Sequence, residues 1–144
     1  MENNYRFSHR LKVRYSEIDG QKIVFNAHYF TYLDIAVSEY FEDGLNLNLQ
    51  VLAAKEEFDF VLIKSTIEYK SSAHLGDWLN VWCRAKSIGR TSFTMSFKIE
   101  REDDQDLILL GEIIYVSYNS RTKSSVPVPN FIRERIEGFE STVG

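Results

Sequence analysis

Apolar and polar residues alternate over residues 6–15, with Phe7, Leu11, Val13 and Tyr15 set against Arg10, Lys12 and Arg14. That period of two predicts a half-buried strand. Beyond the acidic loop Glu17-Ile-Asp19-Gly20 and the apolar patch Ile23-Val24-Phe25, the period changes. Tyr29, Leu33, Ala36, Val37 and Tyr40 recur at helical spacing, Phe30, Ile35 and Phe41 add apolar surface beside them, and Thr31, Asp34, Ser38, Glu39 and Glu42 leave a narrow polar stripe. A helix over 27–42, apolar round most of its girth, is predicted to be buried on several sides. Asn26 is its expected N-cap and Gly44 its stop. Residues 45–57, with Leu45, Leu47, Leu49, Val51 and Leu52, leave a short helix and a tucked loop both open.

The rest of the chain reads as long strands joined by tight turns. Residues 58–70 are rich in β-formers, 71–77 form a turn, and 78–88 alternate Trp78, Asn80 and Trp82 with Leu79, Val81, Cys83 and Ala85. Gly89-Arg90 leads into 91–101, where Phe93, Met95, Phe97 and Ile99 alternate with Thr94, Ser96, Lys98 and Glu100. Asp103-Asp-Gln-Asp106 reads as a hairpin loop before the last strand, 107–118. Pro127 and Pro129 then interrupt regular structure, and 130–140 suggest a short closing helix. Strands joined by turns make an antiparallel sheet that must bury one face. One helix cannot cover five long strands, so an α+β fold in a homodimer is expected, with no internal domain boundary in residues 1–144.

Composition narrows the class. The 44% hydrophobic and 26% charged residues are those of an ordinary globular chain, and the 14% aromatic share points to a core of large side chains. A net charge of −4 argues against an electrostatic nucleic-acid binder. A single cysteine, Cys83, excludes an internal disulfide and a multi-cysteine zinc site, and three scattered histidines argue against a metal enzyme. The first six residues carry no apolar leader-like run, and no stretch is long and apolar enough to span a bilayer, so a cytoplasmic protein without membrane association is the expectation.

The candidate chemistry lies between the first strand and the helix. Asp19 stands seven residues before Asn26, and the first N–H groups of a helix lack intrahelical acceptors. A carboxylate beside such a helix start can bring water or itself to an activated acyl carbon while the N–H groups polarise the carbonyl. From the residues alone, Asp19 reads first as an ordinary turn carboxylate, and only a family resemblance turns that reading toward catalysis. Glu17 reads as a solvated loop charge, although an extended segment would put it on the face of Asp19. Tyr15 reads as a packing residue whose hydroxyl reaches the site, and His28, in the first helical turn, as a surface or interface histidine. Arg90, Arg121 and Lys123 are candidates for phosphate contacts. Thr91 and Ser92 suit a polar substrate path and hairpin polarity equally, and Cys83 reads as a small buried residue.

The stretch Tyr15-Ser-Glu-Ile-Asp19, followed by Ile23-Val24-Phe25-Asn26-Ala-His-Tyr29, resembles the hotdog-fold acyl-CoA thioesterases, in particular the 4-hydroxybenzoyl-CoA thioesterase and YbgC-like branch. Tyr69, Gly76-Asp77, Arg90-Thr91-Ser92-Phe93 and the Pro127-Val-Pro129 exit extend the resemblance over nearly the whole chain. It implies a five-stranded antiparallel sheet wrapped around a long central helix. It also implies edge-to-edge dimers that often assemble into tetramers, acyl-CoA at the subunit interface, and no cofactor beyond the coenzyme A of the substrate. By position, Asp19 matches the catalytic carboxylate, as nucleophile or general base. Asn26 falls at the carbonyl-polarising helix start, and Tyr15 matches a supporting tyrosine. Phe25, His28, Arg90, Thr91 and Ser92 are the implied substrate-binding residues, and Tyr29, Phe58 and Phe60 are further candidates to line the acyl path. Many YbgC-like members have His at the position of Asn26, and glycine is common where this chain has Lys22. Two other activities share such a fold. Hydratases and dehydratases carry a D-x-N-P-x-H arrangement, whose proline and close aspartate Asn26-Ala27-His28 lacks; a non-catalytic acyl-CoA-binding protein is the other alternative.

Overall fold

A computed structural model of the protein describes residues 5–141, so the two ends of the expected 1–144 domain lie outside the described residues. The elements run β1 (Phe7–Lys12), α1 (Asn26–Glu39), α2 (Leu49–Ala54), β2 (Phe60–Tyr69), β3 (Trp78–Ile88), β4 (Ser92–Arg101), β5 (Leu107–Asn119), β6 (Ser124–Ser125) and α3 (Asn130–Ser141). Strands β1 to β5 pair in the order β1-β3-β4-β5-β2, all antiparallel, and the two-residue β6 pairs with the end of β5. The sheet curls around α1, which is the hotdog fold.

Alternation in β3, β4 and β5 explains the curl's inner face. Leu79, Val81, Cys83, Phe93, Met95, Phe97, Ile99, Leu109 and Ile113 are buried at alternate positions, and Ile108 is buried beside Leu109 at the start of β5. Tyr29, Tyr32, Leu33, Ala36 and Val37 of α1 are buried in the same core. The helix keeps helical pairing past its expected end by widening: Tyr40–Gly44 forms a single π turn, in which the Leu45 N–H donates to the Tyr40 carbonyl at 2.9 Å. Beyond Gly44, the open stretch resolves into loop followed by α2, capped by the Asn48 side chain, which accepts from the Val51 N–H at 3.1 Å.

At the far end of α1, Phe41, Phe58, Phe60, Phe93 and Tyr115 form one aromatic cluster, with Phe60 edge-on to Tyr115 at 5.0 Å between centroids. Tyr29 and Phe58 are core residues and Phe60 is half-buried in this cluster. α3 closes that end of the barrel through buried Ile132 and Ile136, and its Glu140 accepts from the Tyr40 hydroxyl and, at 2.9 Å, from the Ala85 N–H. No helix among the described residues is long and apolar enough to cross a membrane.

Two edges of the sheet differ. β1 is short and carries Arg10, which pairs with Glu102 and lies over Trp78. β2 is ten residues long, pairs only with β5, and leaves Val61, Leu62, Ile63 and Tyr69 exposed, with Ile63 in a bulge between Leu62 and Lys64. A long apolar free edge is a template for another strand.

Truncating Phe41, fully buried among four aromatic rings, should cost about 3–5 kcal/mol in Phe41→Ala. Val51→Ala, on the exposed face of α2, should stay within about 0.5 kcal/mol of wild type in the same urea denaturation series.

Candidate active site

Three backbone ladders bring the Asp19 loop and the helix start together. The Val13 N–H donates to Asp77 O at 2.8 Å, which ends β1 beside the start of β3. Ile18 and Val24 form an antiparallel bridge, flanked by the Phe25 N–H donating to Glu17 O at 3.0 Å and the Asp19 N–H donating to Ile23 O at 2.9 Å. Ile23 in turn bridges His74, and the Val24 N–H donates to Ala73 O at 2.9 Å. Asp19 therefore stands on one side of the Ile18–Val24 pair and Phe25–Asn26 on the other, two or three residue steps apart, or about 7–10 Å.

Asp19 itself is exposed and shapes its own turn: one carboxylate oxygen accepts from the Gln21 N–H at 2.8 Å. Tyr15, Ile18, Asp19, Gly20, Lys22 and Leu75 line an open hollow of about 460 Å³. Lys22 takes the glycine position of the resembling sequences by adopting a left-handed backbone, φ 67°. The turn closes on both sides of it, with its N–H donating to Asp19 O at 3.0 Å and its carbonyl accepting from Leu75 N at 3.2 Å.

Several sequence expectations change here. Phe25, not Asn26, is the N-cap of α1; Asn26 is the first helical residue, exposed, and no side chain caps the helix. The first-turn N–H groups are thus left without a side-chain acceptor, which serves a carbonyl better than a capped turn would. Tyr15 does not pack: it is 80% exposed beside Asp19. His28 is half-buried, its ring edge-on to the exposed Phe25 at 6.1 Å. Arg90, Thr91 and Ser92 are not near Asp19 within one chain. They lie at the β3–β4 hairpin, ten strand steps or about 30 Å from the Asp77 end. Arg121 shares that far end and pairs with Glu56 at 2.8 Å.

The largest correction concerns Glu17. It is 5% exposed, and its carboxylate accepts from the Arg14 N–H (2.9 Å), the Arg14 guanidinium (2.7 and 3.0 Å) and the Tyr32 hydroxyl (2.7 Å). Burial pushes its pKa up, but the bonds from the Arg14 backbone, Tyr32 and the Arg14 side chain outweigh that and hold it below the ordinary glutamate range. Tyr32 is driven the other way, by burial first and then by Glu17, so it stays a proton donor. One turn back on α1, the buried Tyr29 hydroxyl accepts from the Ala73 N–H at 2.9 Å. Arg101, 14% exposed, locks the same crossover loop from the sheet side through Asp77 at 3.0 Å and Ser72 O at 2.7 Å. Sequence reading passed over Glu17, Tyr29, Tyr32 and Arg101 as supports. The available signal was two tyrosines three apart on the apolar face of a buried helix, whose hydroxyls need partners.

A curled antiparallel sheet around one helix, with a loop carboxylate beside the helix start, defines the hotdog class of acyl-thioester proteins. A family model described as "Thioesterase superfamily" matches residues 21–108, and the chain belongs to that superfamily. It is 24% identical over 137 residues to "Acyl-CoA thioesterase YbgC" of Helicobacter pylori (strain ATCC 700392 / 26695), covering 90% of this chain and 99% of that one. Among solved structures, it resembles a 1,4-dihydroxy-2-naphthoyl-CoA thioesterase from Synechocystis with TM-score 0.82 and 19% identity over 90% of this chain and 94% of that one. It also resembles the protein SAV2348 from Staphylococcus aureus in complex with CoA, with TM-score 0.86 and 18% identity over 96% and 85% of the two chains.

Two outcomes follow for the loop. Lys22→Gly should be neutral or stabilising by no more than about 1 kcal/mol, because relief of the left-handed backbone is offset by the entropy of glycine. Glu17's depressed pKa means that its ionised bonds stabilise the fold above about pH 4.5 and are lost as pH falls through the lower folded value. Between about pH 6 and about pH 3, urea midpoints should therefore fall less steeply in Glu17→Gln than in wild type.

Proposed function

We propose that this protein is an acyl-CoA thioesterase that hydrolyses an acyl-CoA to the free acid and coenzyme A. The observation that carries the reading is the exposed Asp19 carboxylate held two or three residue steps from an uncapped helix start, in a chain of the Thioesterase superfamily. Its similarity to a protein named as an acyl-CoA thioesterase supports the same substrate class.

In this reading, the acyl carbonyl sits against the N–H groups at the start of the helix near Asn26, where the partial positive charge of the helix terminus stabilises the developing oxyanion. Asp19 either attacks the carbonyl carbon, expelling the coenzyme A thiolate and leaving a mixed anhydride that water hydrolyses, or takes a proton from a water whose attack expels the thiolate directly. The thiolate is a good leaving group, so no strong acid is required. Tyr15, exposed in the same hollow, borders the carboxylate, while Phe25 and His28 offer apolar and polar surface on the helix side.

A second copy completes the site. Two-fold pairing through the free β2 edge is necessarily antiparallel and covers Val61, Leu62 and Ile63. It sets the Val61 end of one β2 against the Tyr69 end of the other. Val61, Val116 and Ser92 share one cross-strand row, so the copy's hairpin, with Arg90, Thr91 and Ser92, comes to the end of the sheet that carries Asp19. Arg90 there faces the phosphates of coenzyme A, and Thr91 and Ser92 border the pantetheine path. The dimer, its assembly into a tetramer and a cytoplasmic setting belong to this same reading.

Free-thiol release from acetyl-, medium-chain, long-chain and aromatic acyl-CoA tests it. Asp19→Asn should lose about 100-fold or more in turnover with its oligomeric state unchanged. An unchanged rate would rule out the role of Asp19, and saturable binding without turnover would make the protein a binder. Ile63→Lys, which puts a charge in the β2 edge, should yield monomers by size-exclusion chromatography and remove turnover with them.

A further inference from the structure

We propose that Glu17 is the positioning residue of the site: it fixes the Asp19 turn in register with the first turn of α1 by gripping the helix at two places. This rests on the reading of Asp19 above. The first grip is main-chain, where the Glu17 carbonyl accepts from the N–H of Phe25, the N-cap of α1, at 3.0 Å. The second is the side chain, whose carboxylate accepts from the Tyr32 hydroxyl at 2.7 Å, nearly two turns into the helix. Asp19 follows two residues later, and between them Ile18 is pinned to Val24. Glu17 thus joins the segment that carries the nucleophile or base to the helix that carries the oxyanion donors by both its main chain and its side chain.

Stability alone does not call for an ionised group here. A buried carboxylate carries a large desolvation cost, and an apolar residue of similar volume often serves the fold as well or better. What the carboxylate supplies is directional geometry. Oε2 takes the Arg14 guanidinium, Oε1 accepts from both the Arg14 N–H and the Tyr32 hydroxyl, and a charge-assisted bond is shorter and stiffer than a neutral one. Arg14 is itself largely exposed, with a 71% accessible side chain, so the buried end of the cluster is the Glu17–Tyr32 bond. Tyr29, one turn earlier, holds the crossover loop against which Ile23 and Val24 pair. Both sides of the Asp19 turn are therefore indexed to the same face of α1. Misplacement of a reacting group by about 1 Å can cost about 100-fold in rate, which is the scale on which such indexing acts.

The test is a double-mutant cycle in thiol release, with Tyr32→Phe and Glu17→Gln each made in wild type and in Asp19→Asn. Tyr32→Phe keeps the ring in the core and removes only the bond to Glu17, so it remains informative if Glu17→Gln folds poorly. The expected result is a kcat lowered about 10- to 100-fold in Tyr32→Phe, with KM changed less than about threefold. On the residual rate of Asp19→Asn, the same substitution should have little further effect, because the group it positions is already gone. Equal losses in both backgrounds, or an unchanged kcat in folded Tyr32→Phe, would overturn the positioning role. The two hypotheses fail separately. An active Asp19→Asn enzyme removes the catalytic reading, whereas a dead Asp19→Asn beside a fully active Tyr32→Phe removes only this inference.

Discussion

Burying two tyrosine hydroxyls on one helix is the constraint from which the site follows. α1 runs through the concave side of the sheet, and Tyr29 and Tyr32 are 2% and 1% exposed, so their oxygens need partners inside the protein. The sheet does not supply them; apart from Ser117 and Cys83, its buried residues are apolar, or the ring of Tyr115. The partners come instead from the two segments that cross the end of the barrel, Ala73 in one and Glu17 in the other. Core packing and loop placement are thereby one problem with one solution. The loop bearing Asp19 is held by a helix that the hydrophobic effect has already fixed.

The same end of the molecule is braced from the sheet side. Arg101 reaches from β4 to Asp77, Asp104, Asp106 and the Ser72 carbonyl, tying the β4–β5 hairpin to the crossover loop. With the loop clamped between α1 and the strand ends, the Asp19 turn needs few bonds of its own and stays open to solvent. An exposed carboxylate on a rigid support suits a reaction in which the group must meet an incoming acyl carbon. The opposite end is built differently, from five aromatic rings and α3, with Glu140 accepting from the Tyr40 hydroxyl and the Ala85 N–H.

The fold was legible because its signals are periodic and local. The alternation in β3, β4 and β5, the turn residues between them, and a largely apolar helix over 27–42 each survive in the structure to within a few residues, the last turn of the helix as a π turn. The departures have physical reasons. Asn26 is a good cap by residue type, but the Ile18–Val24 pairing delivers the chain with Phe25 in the extended conformation that a cap requires, and so shifts the helix start. Tyr15 looks like the last inward residue of a strand, yet β1 ends at Lys12 and the chain turns before reaching it. Glu17 reads as solvated because nothing in its neighbours along the chain reveals Tyr32, fifteen residues away, as its donor. Lys22 shows the converse: a left-handed turn persists where the glycine signal is absent. The Arg90–Ser92 hairpin lies at the opposite end of the chain's own sheet from Asp19, a separation that local sequence patterns do not reveal.

The central claim is a thioester-hydrolysing site shared between two copies, Asp19 from one and the Arg90 hairpin from the other. Subunit complementation tests it most directly: Asp19→Asn and Arg90→Ala are unfolded together, refolded as a mixture and assayed for thiol release against each parent. If the site is shared, half of the dimers are mixed and each carries one intact site, so activity should rise to about one quarter of wild type, well above the mean of the parents. Activity that never exceeds that mean would place Asp19 and Arg90 in the service of the same chain, or of no common site, and would contradict the account.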